Sequence, residues 1–228
     1  MGHPVKGTRR YASLKRDEQA RQTRREIVAA AHRLLLDRGY PATTIELIAQ
    51  EAGVAIQTIY SSVGNKRALL WAVLETRVAG DDAPRSLFER FRDELDAAVD
   101  PHERLGRAVR FGRQVMDRSA DVHRIMLSAA GTDPEIASAV ADAERRRHRD
   151  AAAIVRLIVG DQGFGPGMDA RTAADLWFAV TSYEVYELLT GSRRWSPARY
   201  ETWITRALEP IVAKHPEPDA SAQHFSSG

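Results

Sequence analysis

Cysteine is absent from the 228-residue chain, which excludes disulfides, thiolate catalysis and thiol redox sensing. No apolar run approaches the roughly 18 residues that a membrane span requires. The start, Met1-Gly2-His3-Pro4-Val5-Lys6, lacks the apolar core of a secretory signal. A cytoplasmic location with no membrane partner is expected by default. Enzyme signatures are missing as well. There is no Gly-x-Ser-x-Gly elbow. The one glycine-rich run, Gly160-x-x-Gly163-x-Gly165-x-Gly167, follows a helical pattern and lacks a phosphate-loop lysine. The seven histidines are scattered, with no pair at i, i+4 and no ligand-spaced carboxylate between them. No metal, cofactor or catalytic residue is expected, and the chain reads as a non-enzyme.

What is present is an ordinary globular composition, 43% apolar and 28% charged, with an uneven charge. Residues 1–70 hold 12 lysines and arginines against 6 acidic residues, and the remainder holds 21 against 25. Most of the excess lies early, at Lys6, Arg9, Arg10, Lys15, Arg16, Arg21, Arg24 and Arg25 against Asp17 and Glu18. A basic end on a mildly acidic body fits a module that meets a polyanion, and equally a solvated tail.

The periodicity is helical throughout and predicts an all-α fold. Ile27, Ala31, Leu34 and Leu35 share one face of a helix over Glu18 to Arg38, stopped by Gly39 and Pro41. Thr43-Thr44-Ile45-Glu46 has capping-box spacing ahead of Ile48, Ala49 and Ala52. A short helix from near Ala55 to about Ser62 and another from Lys66 to about Ala79 follow. Later helices carry Leu87, Phe91 and Leu95, then Leu105, Val109 and Met116, then Val122, Ile125 and Met126. Asp133-Pro134 and Ser196-Pro197 each pair a cap with a proline at the first helical position, and Asp169 is read as a further cap. β-branched residues nowhere alternate over the length of a strand, and no internal repeat is visible.

Ala49, Gly53 and Ile59 form the mechanical centre of a helix-turn-helix. A small residue stands where two helices cross, a glycine takes the left-handed turn, and an isoleucine plugs the shared core. Gln57, Thr58, Tyr60, Ser61 and Ser62 then fall on or near the outer face of the second helix, the one that enters a major groove. The wider run, Thr43-Thr44-Ile45-x-x-Ile48-Ala49-x-x-Ala52-Gly53-Val54-x-x-x-Thr58-Ile59-Tyr60-x-x-x-x-Asn65-Lys66-x-x-Leu69-Leu70, resembles the DNA-binding domain of the TetR family of bacterial transcriptional regulators. Leu34-Leu35-Leu36-Asp37-Arg38-Gly39-Tyr40 fits the same pattern, and the likeness is specific over about residues 20–75.

The resemblance implies phosphate contacts from Thr44, Tyr60 and Lys66. It implies base-edge or nearby phosphate contacts from Gln57, Thr58, Ser61 and Ser62, with Gln57 the candidate for adenine. Structural alternatives stand beside these roles: a half-buried core tyrosine at Tyr60, a solvated lysine at Lys66, a plain cap at Thr44. Arg9 and Arg10 either enter a minor groove or touch backbone alone. Two departures matter. Ala55 replaces a usual capping serine, and Ser62-Val63 replaces the usual aromatic or histidine and phenylalanine.

The resemblance also implies a helical body that reads a small-molecule effector. Candidate effector contacts are Phe111, Met116, His123, Met126, Arg147 and Trp177, each of which is equally a core or boundary residue. Arg147 interrupts an apolar stripe and demands a partner, an anionic ligand or an internal carboxylate. Leu176 to Leu189 is apolar nearly all round, so a helix there must be covered on two sides. It is similar, with the final helix through Trp203, Ile204 and Leu208, to the family's paired-helix homodimer element. The expected organisation is a basic flexible arm (1–18), a helix-turn-helix domain (19–65), a connecting helix (66–80), a ligand-binding and dimerisation domain (81–215) and a tail (216–228). The expected function is a homodimeric repressor of a palindromic double-stranded operator. The rivals are a helical ligand-binding protein that has lost DNA binding and a nonspecific architectural DNA binder.

Overall fold

The computed structural model describes the backbone of residues 6–80 and 85–212, with side chains from residue 15 onward. The tail read over 216–228 and the side chains of Arg9 and Arg10 lie outside the described residues. The fold is all-α; an isolated antiparallel bridge joins Phe164 to Val212.

Helix α1 (Lys6–Ala42) takes in most of the basic stretch read as an arm. Gly39, at φ 72° and ψ 173°, interrupts it where the sequence places the stop. Helix α2 (Ile45–Ala52) begins on Thr44, whose Oγ1 accepts from the Leu47 amide at 3.3 Å. The expected Thr43–Glu46 capping box does not form around Thr43. Thr43 is fully buried, and its hydroxyl lies within donating distance of the Leu34 and Gly39 carbonyls, at 3.1 and 2.8 Å. Of two adjacent threonines, the inward one ties α2 to α1 and the outward one caps. Gly53, at φ 66°, ends α2 in the left-handed region, where an L side chain costs about 1–2 kcal/mol. Helix α3 (Ile56–Ser62) starts on Ala55 with no side-chain cap. Helix α4 (Lys66–Ala79) is capped by Asn65, whose Oδ1 accepts from the Ala68 amide at 2.9 Å.

Two compact units divide the described residues, and the division is not linear. The first joins residues up to 80 with 115–143; the second joins 85–114 with 144 onward. Helices α6 (Pro101–Ala130) and α7 (Pro134–Val159) therefore contribute to both. The first unit's core collects Ile27, Ala31 and Leu35 of α1, Ile48 of α2, Ile59 of α3 and Leu69, Leu70 and Val73 of α4. Val122, Met126, Ala129 and Ile136 complete it. Each fully buried Ile or Leu stabilises this core by about 1.5–3 kcal/mol.

The second unit opens with α5 (Leu87–Asp96), which carries a full capping box between Ser86 and Glu89. It continues through α8 (Ala170–Val180), capped by Asp169, α9 (Tyr183–Tyr186) and α10 (Pro197–Leu208), capped by Ser196 with proline following. Tyr200, Ile204 and Leu208 are buried in its core. The apolar stretch 176–189, expected as one helix, is broken at Thr181-Ser182. The Thr181 amide and hydroxyl both turn back to the Trp177 carbonyl, at 3.0 and 2.7 Å. Ser182 is extended and caps α9 through the Val185 amide. Adjacent hydroxyls compete with the helical ladder, and apolar periodicity hides that competition. The chain then widens into a π-helical segment over Glu187–Ser192. Among the described residues no helix is long and apolar enough to cross a membrane.

Candidate nucleic-acid interface

Helix α3 buries one side chain, Ile59. Ile59 is completely buried in the first unit's core, while its neighbours Ile56 and Tyr60 are 41% and 50% exposed. At 3.6 residues per turn, Gln57, Tyr60 and Ser61 share one face, and all three are exposed. Thr58 and Ser62 are half-buried at its edges. The Ser61 hydroxyl donates to the Thr58 carbonyl at 3.1 Å, which leaves its oxygen lone pairs outward. Five of the seven proposed DNA contacts therefore come together on α3, and Tyr60 is not a core residue.

The other two stand at helix starts. Thr44 is exposed at the N-terminus of α2. Lys66 opens α4, half-buried, with its ammonium 4.2 Å from the Tyr40 ring centre and donating to the Pro41 carbonyl at 3.3 Å. Burial lowers the Lys66 pKa from its ordinary value and raises that of Tyr40. Helix N-termini carry partial positive charge, so Thr44 and Lys66 each sit where an anion is stabilised.

Sequence reading missed three supports of this surface. Arg24 of α1 donates to the Ser62 carbonyl at 2.6 Å, fixing the C-terminal end of α3. Asn65 caps α4. Arg67 pairs with Glu135 at 2.8 Å and Asp133 at 3.6 Å, so of the two adjacent cations Lys66-Arg67 the second is neutralised within its own unit. Only Asn65 had a local signal, its place before the helical run.

The six proposed effector contacts divide between the units. Met116 is buried, His123 is half-buried and Met126 belongs to the first unit's core. In the second unit, Phe111 packs edge-on against Phe91 at 5.4 Å and Trp177 is buried. Arg147 donates to the Phe178 carbonyl at 2.9 Å and lies 3.8 Å from that ring's centre. Among the described residues, Arg147 thus meets a carbonyl and a ring. Burial lowers its pKa, opposed by the charges of Glu184 and Glu144.

Residues 27–73 match the family described as bacterial regulatory proteins, tetR family. A curated relative, the HTH-type transcriptional activator FasR of Mycolicibacterium smegmatis (strain ATCC 700084 / mc(2)155), is 30% identical over 138 residues. That match covers 60% of this chain and 58% of the relative's length. Among solved structures, a transcriptional regulator from Saccharomonospora viridis in complex with choline is 26% identical at a TM-score of 0.60. It covers 82% of this chain and 96% of that one. A TetR-family regulator from Mesorhizobium loti MAFF303099 superposes at a TM-score of 0.62, covering 83% and 95% of the two chains at 23% identity. The last likeness bears on the fold alone.

Proposed function

We propose that this chain, whose residues 27–73 match the tetR family of bacterial regulatory proteins, is a homodimeric, sequence-specific DNA-binding regulator that answers to a small molecule. The observation that carries this is the α3 surface: Gln57, Tyr60 and Ser61 exposed on one face of a helix whose Ile59 is wholly buried. That face delivers an amide for base-edge hydrogen bonds and two hydroxyls for phosphate or base. Thr44 and Lys66 add backbone contacts from the N-termini of α2 and α4.

A dimer with two-fold symmetry presents two such helices, which calls for a palindromic operator with half-sites about 34–36 Å apart. The proposed dimer surface lies on α8 through α10. There Leu188 and Trp203 are 56% and 42% exposed, and Trp195, Trp203 and Arg199 border a surface cleft of about 380 Å³. Exposed tryptophan is costly on a monomer and common at the centre of interfaces.

The proposed mode is repression, relieved when an effector in the helical body changes the separation of the two α3 helices. A few kcal/mol of differential effector affinity is enough to switch occupancy. The curated relative is named an activator, and the same DNA-binding act produces either outcome according to where the operator lies. Phe111, Met116, His123, Met126, Arg147 and Trp177 remain the proposed effector contacts.

Capture of fragmented genomic DNA by the purified protein, followed by nuclease footprinting, tests this reading. Protection of paired, inverted half-sites one helical turn apart is expected. Protection without sequence preference, or no capture, contradicts it.

A further inference from the structure

Arg24 stands on α1, outside residues 27–73 that match the family, yet its guanidinium reaches α3. Its Nη1 donates to the carbonyl of Ser62, the last residue of α3, at 2.6 Å across 38 positions of chain. The base of Arg24 is firmly placed. Ile27 and Val28, one turn further along α1, are buried in the same core as Ile59.

Helix α3 has little of its own to fix its direction. It is seven residues long and starts on Ala55, whose methyl can accept no amide. At the other end the Val63 and Gly64 amides both turn back to the Ile59 carbonyl, at 2.9 and 3.1 Å. The Ser62 carbonyl is among those that the helix's own amides cannot reach. A guanidinium there meets both the carbonyl and the negative end of the helix dipole.

Ile59 is the buried residue of α3, and a short rod fixed at one point pivots. Ser62 lies about 4.5 Å along the axis from Ile59, and Gln57 lies on the other side of it. Freed at Ser62, α3 tilts about Ile59 and carries Gln57 the opposite way. Paired hydrogen bonds to a base edge need their donor and acceptor placed within about 0.5 Å.

We propose that Arg24 is a positioning residue for sequence reading. By tying the Ser62 carbonyl to α1 it fixes the angle at which α3 presents Gln57, and so sets how strongly one operator is preferred over other duplexes. This role rests on α3 being the DNA reader. A phosphate contact from the same guanidinium would strengthen binding to every duplex alike, whereas a tie on α3 shows in preference.

Anisotropy titration of the full chain tests the role, comparing wild type, Arg24→Met and Arg21→Met. The probes are the duplex that the wild type selects from a random library and a scrambled duplex of the same composition. Each variant removes one exposed positive charge from α1. Arg24→Met lowers the ratio of the two affinities about tenfold, and Arg21→Met leaves that ratio unchanged. In the DNA-free protein, the Val63 and Gly64 amides exchange hydrogen faster in Arg24→Met alone, at an unchanged thermal midpoint.

An Arg24→Met ratio equal to that of wild type, or an equal fall in both variants, overturns the proposal. A lower ratio with unchanged exchange also overturns it and makes Arg24 a direct DNA contact. A lower ratio with a lowered thermal midpoint overturns it too, leaving Arg24 a general stabiliser. A wild type without sequence preference removes the regulator reading and this role together. A selective wild type beside an equally selective Arg24→Met removes this role alone.

Discussion

The Lys66 ammonium lies 4.2 Å from the centre of the Tyr40 ring and donates to the Pro41 carbonyl at 3.3 Å. The cation opening α4 is thereby held against the end of α1 instead of waving in solvent, and a held cation loses little entropy on meeting a phosphate.

Lys66→Ala accordingly weakens binding to every duplex alike and reduces the slope of log affinity against log salt by about one. Fluorescence anisotropy at several salt concentrations reads both quantities. A loss confined to one sequence would contradict a backbone role.

Thr43→Val removes the buried hydroxyl that faces the Leu34 and Gly39 carbonyls while keeping the side-chain shape. The first unit loses about 1–2 kcal/mol, read from urea denaturation. Thr44→Val costs about 1 kcal/mol through the lost cap and also lowers duplex affinity, which Thr43→Val does not do in the folded protein.

That pair shows where sequence legibility stops. Helix starts at Thr44, Asp169 and Ser196 were readable because a cap is a local hydrogen bond between residues a few positions apart. The α3 surface was readable because Ile59 and its neighbours follow helical spacing. Which of Thr43 and Thr44 turns inward is decided by packing against α1, and no local pattern encodes it. The break at Thr181-Ser182 was hidden because the residues on either side keep apolar character through it. The open cleft lined by Arg21, Arg24, Arg25, Arg77 and Arg118 had no signal beyond early basic charge, since Arg77 and Arg118 join the other three only through the fold.

Gly80→Ala destabilises the first unit more than Gly53→Ala does. Both glycines are left-handed, at φ 82° and 66°, so each substitution costs about 1–2 kcal/mol. At Gly53 the added methyl meets nothing within 4 Å; at Gly80 it displaces the Arg118 guanidinium. Parallel urea titrations order the two variants, and equal losses would mean that Arg118 swings aside freely.

Trp203→Glu places a charge where Trp203 meets the Trp195 ring at 6.0 Å on the exposed side of α10. Sedimentation equilibrium at micromolar concentration should find dimer for the wild type and monomer for the variant, with helical content unchanged. A wild-type monomer would remove the palindrome argument.

Selection from a random duplex library by wild type and by Gln57→Ala, side by side, tests the central claim most directly. The α3 helix as reader predicts a palindrome for the wild type and the same palindrome with one relaxed position per half-site for the variant. Identical palindromes from both proteins, or none from the wild type, would contradict it.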